Sequence, residues 1–165
     1  MLLRPYSPAD LGVVHAINQA EAPAVGSVTP DEFAHVAAQS AIALVAVDDD
    51  SDAVAGFCLV LAPGAEYASG NYAWFSDRYD DFVYLDRIAI APAFQRRGIG
   101  RAMYAEVDRL ARELRPDATD FCLEVNLRPR NDGSLAFHDR LGFTEVGQRE
   151  TDYGARVSMQ TRPLA

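Results

Sequence analysis

Gln95-Arg96-Arg97-Gly98-Ile99-Gly100 is the stretch that decides the fold of this 165-residue chain. It follows a β-type run from Phe82 to Ala91 and opens a helical pattern that reaches Leu114. A helix start exposes unpaired backbone N–H groups and a positive dipole, so the arginines there are unfavourable unless an anion binds. Glycines let the backbone approach a phosphate closely. The stretch therefore predicts a phosphate-binding turn.

Two other phosphate-binding motifs fit this turn poorly. A dinucleotide fingerprint needs a third glycine where Met103 stands, and a P-loop needs a Gly-Lys-Ser/Thr run. All fifteen basic residues are arginine, so the chain has no lysine for a P-loop. The turn indicates a different phosphate-bearing ligand.

The segments around the turn predict a mixture of strands and helices. The hydrophobic patterns predict helices at 8–20, 30–40, 98–114 and 132–141, and strands at 1–4, 42–47, 54–61, 82–91, 121–126, 144–149 and 155–161. Residues 62–81 show no clear periodicity, yet carry five aromatic residues. Long loops of this kind are often lids or binding loops.

The composition narrows the classes of protein to which this chain can belong. With 49% hydrophobic residues, residues 1–165 are expected to form a single globular domain. The net charge of -9 argues against a nucleic-acid surface and favours a cationic substrate. No apolar run is long enough to span a bilayer, and the N-terminus lacks a signal-peptide pattern, so we expect a cytoplasmic protein without membrane contact. Cys58 and Cys122 lack metal-ligand spacing, so we expect no metal site.

Residues 95–100 resemble the Gln/Arg-x-x-Gly-x-Gly/Ala signature of the GNAT N-acetyltransferase superfamily. Leu85 to Pro92 looks like the fourth strand of that family, and the segment from Asn131 to Phe143 resembles its second half. The resemblance covers nearly the whole chain and is strongest from 82 to 147. It implies an α/β (α+β) GNAT fold: a mixed, mostly antiparallel sheet of six to seven strands, flanked by about four helices and splayed between strands 4 and 5.

The same resemblance implies that acetyl-coenzyme A occupies the gap between strands 4 and 5. Its pyrophosphate would contact the turn, and its pantetheine would pair with the fourth strand. The cofactor-binding residues implied in this way are Ile88, Ala89, Ile90, Gln95, Arg96, Arg97, Gly98, Ile99, Gly100, Arg101, Asn126, Asn131, Ser134 and Phe137.

Acetyl transfer to an amine needs a base, donors for the oxyanion and an acid for the leaving thiolate. Strand alternation predicts that Tyr84, Asp86, Ile88 and Ile90 share one face, and family members often place a base at positions matching Tyr84 and Asp86. We expect Asp86 to be the base, directly or through water, with Glu124 as second candidate. Alternatively, Asp86 pairs with a structural arginine or caps the strand.

His138 stands seven residues after Asn131, where much of the family has a tyrosine that protonates the thiolate. A histidine can donate a proton near neutral pH. We therefore treat His138 as a candidate for the acid. The alternative is a helix histidine whose hydrogen bonds are already satisfied and which has no catalytic role.

The acceptor site implied by the family lies between the first two helices and the aromatic segment. Aromatic walls with a carboxylate suit an ammonium group. The expected acceptor is a primary amine of a small molecule, attacked in a ternary complex. A protein or peptide amine and a non-catalytic acyl-coenzyme A sensor are the alternatives, and the aromatics are equally compatible with a hydrophobic plug or a homodimer contact. The candidate substrate-binding residues are Asn18, Glu21, Tyr67, Tyr72 and Trp74.

Overall fold

The computed structural model describes residues 1–164. Its strands are β1 (Leu2–Pro5), β2 (Ile42–Val47), β3 (Val54–Leu61), β4 (Phe82–Ile90), β5 (Asp120–Arg128), β6 (Thr144–Glu150) and β7 (Arg156–Pro163). Its α-helices are α1 (Leu11–Ala20), α2 (Pro30–Gln39), α3 (Gly70–Ser76), α4 (Ile99–Leu114) and α5 (Asp132–Arg140). No helix within the described residues is long and apolar enough to cross a membrane.

All seven strands form one sheet in the order β1-β2-β3-β4-β5-β7-β6. The β4–β5 pair is parallel, and the other pairs are antiparallel. Strands β4 and β5 pair only where Phe82–Tyr84 face Asp120–Cys122, although both strands continue well beyond. The mixed sheet that splays between its fourth and fifth strands is confirmed.

Helix α4 covers one face of the sheet beside this gap. Its buried residues Ile99, Met103, Val107 and Ala111 recur every four positions, so they form one stripe against the sheet. The helix begins after Gly98, whose φ of 82° is left-handed. This start sets the helix N-terminus at the mouth of the gap.

The structure has one α-helix more than expected, because α3 lies in the segment 62–81 that we predicted as a loop. The Ser69 side chain accepts a hydrogen bond from the backbone of Tyr72 and caps the helix. Tyr72 and Phe75 then bury their rings against β4 and β5. Helix α3 has only seven residues, which is too short for hydrophobic periodicity to reveal it.

A β-bulge in β4 changes the face of the sheet on which its side chains lie. Leu85 lies opposite Val60 and Arg87 opposite Leu59, so Asp86 has no partner residue on β3. Ile88 and Ile90 consequently pack with Leu85 on the α4 side, while Tyr84 packs in the cluster on the α3 side. The predicted face shared by Tyr84, Asp86, Ile88 and Ile90 is therefore wrong, because the extra residue shifts the alternation by one.

Candidate active site

A cavity of about 940 Å³ occupies the gap between β4 and β5. On one face of the sheet it opens between the start of α4 and helix α5. On the other face it reaches the α1–α2 loop, the start of α3 and the β6–β7 turn. Two ligands can therefore approach the separated strands from opposite faces.

The turn before α4 forms one end of this cavity. Arg96 and Gly98 both have left-handed backbones, with φ of 62° and 82°. Such alternation beside a helix N-terminus turns successive N–H groups toward one anion. Arg96, Arg101 and Arg140 also line the cavity, and none has a carboxylate within 4.0 Å among residues 1–164. This end suits a ligand with several negative charges.

Every predicted cofactor-binding residue except Arg97 lines the cavity. Arg97 points away: its guanidinium lies 3.7 Å from the carboxylate of Asp48 and over the ring of Phe94. The side chain of Arg97 therefore does not line the cavity, and its assignment to the cofactor stays a prediction.

Glu124 on β5 holds a buried carboxylate in the wall of the cavity. Tyr84 donates to Oε2 and Asn71 donates to Oε1, each over 2.8 Å. Burial, and secondarily the negative charge of Asp86, raises the pKa of Glu124 to about 7. A carboxyl group with this pKa exchanges protons readily near neutral pH.

Asp86 also lines the cavity, from the bulge in β4. Its Oδ2 lies 3.2 Å from Nε of Arg87, which in turn donates to Asn18 and to the carbonyl of Gly26. Burial raises the pKa of Asp86, while Arg87 and the hydroxyl of Tyr67 oppose this rise. This ion pair corresponds to the alternative in which Asp86 pairs with a structural arginine, although Oδ2 and Nε make no hydrogen bond with each other, so the contact is one of charge alone.

The ring of His138 is buried at the edge of the cavity, with both nitrogens engaged. Nδ1 lies 2.8 Å from the carbonyl oxygen of Ser134, so Nδ1 carries the hydrogen. Nε2 therefore accepts from the hydroxyl of Tyr104, 2.5 Å away. Burial lowers the pKa of His138 to about 4, so the ring is neutral near pH 7. The geometry favours the satisfied helix histidine over the thiolate acid.

The structure brings only part of the predicted acceptor set to the cavity. Glu21 and Tyr67 line it, whereas Asn18, Tyr72 and Trp74 do not. Asn18 is fully buried and bonds the carbonyl of Gly26. The hydroxyl of Tyr72 donates to a backbone carbonyl, and Trp74 packs on the β6 backbone at Gly147. Among the catalytic candidates, Tyr84 contacts Glu124 but does not itself line the cavity.

One protein family matches the chain across the segments that form the cavity and its turn. Residues 14–143 match the sequence profile described as the Acetyltransferase (GNAT) family. The chain belongs to the GNAT family. Within residues 1–164 of this GNAT protein, no three His, Cys, Asp or Glu side chains form a cluster that could hold a metal ion.

One curated relative is the N-alpha-acetyltransferase RimI of Mycobacterium tuberculosis, 41% identical over 71 residues. The matched stretch spans 43% of this chain and only 39% of that relative. Among solved structures, Arabidopsis thaliana NAA60 with a bisubstrate analogue has a TM-score of 0.77 at 20% identity, covering 98% of this chain and 97% of that one. The ribosomal-protein-S18-alanine N-acetyltransferase of Escherichia coli has a TM-score of 0.71 at 19% identity, covering 99% and 94%. These two structures share the GNAT fold.

Sequence reasoning missed two residues on the α3 side of this GNAT cavity. Asn71 joins Glu124 from the start of α3, and Tyr153 lines the cavity from the β6–β7 turn with 71% of its surface exposed. The one signal in the sequence was an aromatic residue in the polar turn Asp152-Tyr153-Gly154, since tyrosine is enriched at binding interfaces. Asn71 carried no such signal.

Proposed function

We propose that this protein transfers the acetyl group of acetyl-coenzyme A to a primary amine, within a ternary complex. The observation that carries the proposal is the position of Glu124. Its carboxylate, with a pKa of about 7, lies in a cavity whose other end is shaped for a polyanion. An acid–base group and a phosphate site thus share one channel through the sheet.

The cofactor would enter from the α4 side. Its pyrophosphate fits the turn at Arg96 and Gly98, and the arginines lining that end match its charge. Beyond Tyr84, β4 has no β5 partner, so its backbone groups on that edge are free to pair with the pantetheine amides. NAA60 of Arabidopsis thaliana has been solved with acetyl-coenzyme A on the same fold, which supports this ligand.

The amine would enter from the α3 side and meet Glu124. A primary amine is mostly protonated at neutral pH and must lose a proton before it can attack. Glu124 in its ionised form accepts that proton, directly or through water. This role moves the expected base from Asp86 to Glu124, because the Arg87 guanidinium already pairs with the Asp86 carboxylate.

The neutral amine nitrogen then attacks the thioester carbonyl carbon, and the carbon–sulfur bond breaks. The nitrogen loses two protons in all, one from the ammonium group before the attack and one from the adduct after it. One of them protonates the leaving thiolate, from the carboxyl form of Glu124 or through water, and the other passes to solvent. His138 takes no part in this transfer, since both ring nitrogens are engaged in hydrogen bonds. Tyr84 and Asn71 hold the carboxylate in position throughout.

A small-molecule amine is the first candidate acceptor, because Glu21 and Tyr67 give the acceptor side a carboxylate and an aromatic ring. A protein N-terminal amine is the second candidate, and the similarity to RimI supports it. Both share the same chemistry at the amine nitrogen. Panels of small amines and of short peptides would separate them by the rate of thiol release from acetyl-coenzyme A.

Glu124→Gln tests the proposed base. The variant should bind acetyl-coenzyme A with unchanged affinity, while turnover falls roughly a hundredfold or more, as expected for the loss of a general base. Glu145→Gln, on the exposed edge strand, is a matched control that should keep full turnover. Tight cofactor binding without thiol release for any amine would instead support an acyl-coenzyme A sensor.

A further inference from the structure

A second, smaller cavity of about 190 Å³ adjoins the acceptor side of the main one. The two cavities share the lining residues Tyr67, Ser69, Asn71 and Tyr153. The smaller cavity adds one cation, Arg149, and one carboxylate, Asp152. An acceptor whose amine reaches Glu124 would place its neighbouring groups here.

Arg149 is half-buried and largely without partners. It donates one hydrogen bond, to Oδ1 of Asn71 over 2.5 Å, and no carboxylate lies within 4.0 Å of it among residues 1–164. A guanidinium group carries five N–H donors, so most of its donors remain available. The backbone holds it closely, since a Cβ added at Gly70 would lie 2.6 Å from Nη2.

One carboxamide group connects this cation to the candidate base. Asn71 donates from Nδ2 to Glu124 and accepts at Oδ1 from Arg149. The three side chains therefore place a proton acceptor and a cation on either side of a single amide. A ligand that carries both an ammonium group and a carboxylate has charges complementary to this pair.

We propose that Arg149 binds a carboxylate of the acceptor, so that the preferred acceptors carry a carboxylate within a few bonds of the amine. This proposal rests on the proposed acetyl transfer. The fork of the guanidinium pairs well with a carboxylate, and partial burial strengthens such a pair. Asp152 lines the same cavity from the exposed turn and opposes an anion, but Arg149, unlike Asp152, is anchored by a hydrogen bond to Asn71.

The carboxylate has two possible sources. A free amino acid supplies its α-carboxylate, and a peptide with an acidic first or second residue supplies a side-chain carboxylate. Amino acids compared with their amides test the first source. Peptides with Asp or Glu compared with Asn or Gln at these positions test the second.

The decisive measurement is kcat/KM for each acid and its amide, at saturating acetyl-coenzyme A. The wild-type protein should prefer the carboxylate member of a pair by roughly ten- to a hundredfold, as expected for a charge-assisted contact. Arg149→Met should remove this preference by lowering kcat/KM for the acids far more than for the amides, so that the ratio of the two approaches one. Arg156→Met removes the same charge from an exposed site on β7 outside both cavities, and it should keep the preference.

Calorimetric binding of the same ligands to the protein–coenzyme A complex provides a readout independent of turnover. Equal kcat/KM for acids and amides in the wild-type protein, or a preference that survives Arg149→Met, would overturn the proposal. If no amine is acetylated, the proposed function fails. Carboxylate binding that depends on Arg149 would then still support the carboxylate subsite. If no such binding were found either, both the proposed function and the subsite would be rejected.

Discussion

The hydroxyl of Tyr84 donates to Oε2 of Glu124 over 2.8 Å at the point where β4 and β5 separate. Tyr84 belongs to the last paired position of β4, opposite Cys122, and Glu124 lies two residues beyond on β5. The hydrogen bond thus spans the apex of the gap. It places the carboxylate where an amine and a thioester arriving from opposite faces would meet.

Removing this hydrogen bond should move the pH dependence of the reaction. The Tyr84 hydroxyl stabilises the ionised carboxylate, so Tyr84→Phe should raise the pKa of Glu124 further above 7. The ascending limb of the kcat/KM profile should shift to higher pH. Tyr72→Phe is the matched control, because it deletes a buried phenol hydroxyl that bonds only the backbone. An unshifted limb in Tyr84→Phe would argue against Glu124 as the titrating base.

Glu124→Gln should change stability in a pH-dependent way. The pKa of Glu124 is about 7 in the folded protein and near 4.5 when unfolded, so the folded state holds more protons between these values. Wild-type stability therefore falls as pH rises from 4.5 to 7, by up to about 3 kcal/mol. The Glu124→Gln variant has no carboxyl group at this position, so its stability does not fall in this way. Urea unfolding at pH 5 and pH 8 should show a relative gain for the variant only at pH 8.

Gly98→Asp should abolish cofactor binding. The substitution places a carboxylate at the anion site, and we expect affinity for coenzyme A to fall on the order of a hundredfold or more. Gly64→Asp is the matched control, since Gly64 has φ of 84°, has open space where a Cβ would lie and is outside the cavity. Both variants carry the same backbone strain, so equal weakening by calorimetry would contradict the phosphate site.

His138→Gln should affect stability more than turnover. The folded pKa of about 4 lies below the ordinary value of 6.5, so His138 contributes stability that is present above pH 6.5 and is lost as pH falls toward 4. The variant should lose less stability than the wild type over this window. A large fall in kcat with unchanged unfolding would restore His138 as the thiolate acid.

Predictions that depend only on neighbouring residues agreed with the structure. The predicted facing of the β4 side chains did not, because it assumed a strand without a bulge. The Gly98 turn and the amphipathic α4 follow from neighbouring residues, and both are present. The facing of Ile88 and Ile90 was wrong because one extra residue at Asp86 interrupts the β3–β4 ladder. No feature of the β4 sequence marks a bulge, since it depends on how β3 pairs with it.

The sequence by itself determined the family, the order of the strands and of the four longer helices, and the glycine turn that begins α4. These features depend on residues close along the chain, whose spacing and conformational preferences can be read directly. Only the tertiary structure decided that Tyr84 and Asn71 hold the Glu124 carboxylate in the cavity wall, that both ring nitrogens of His138 are engaged, and that Arg149 contacts Asn71 beside the smaller cavity. Each of these roles depends on a partner from another element, and burial among those partners sets the pKa and the free donors.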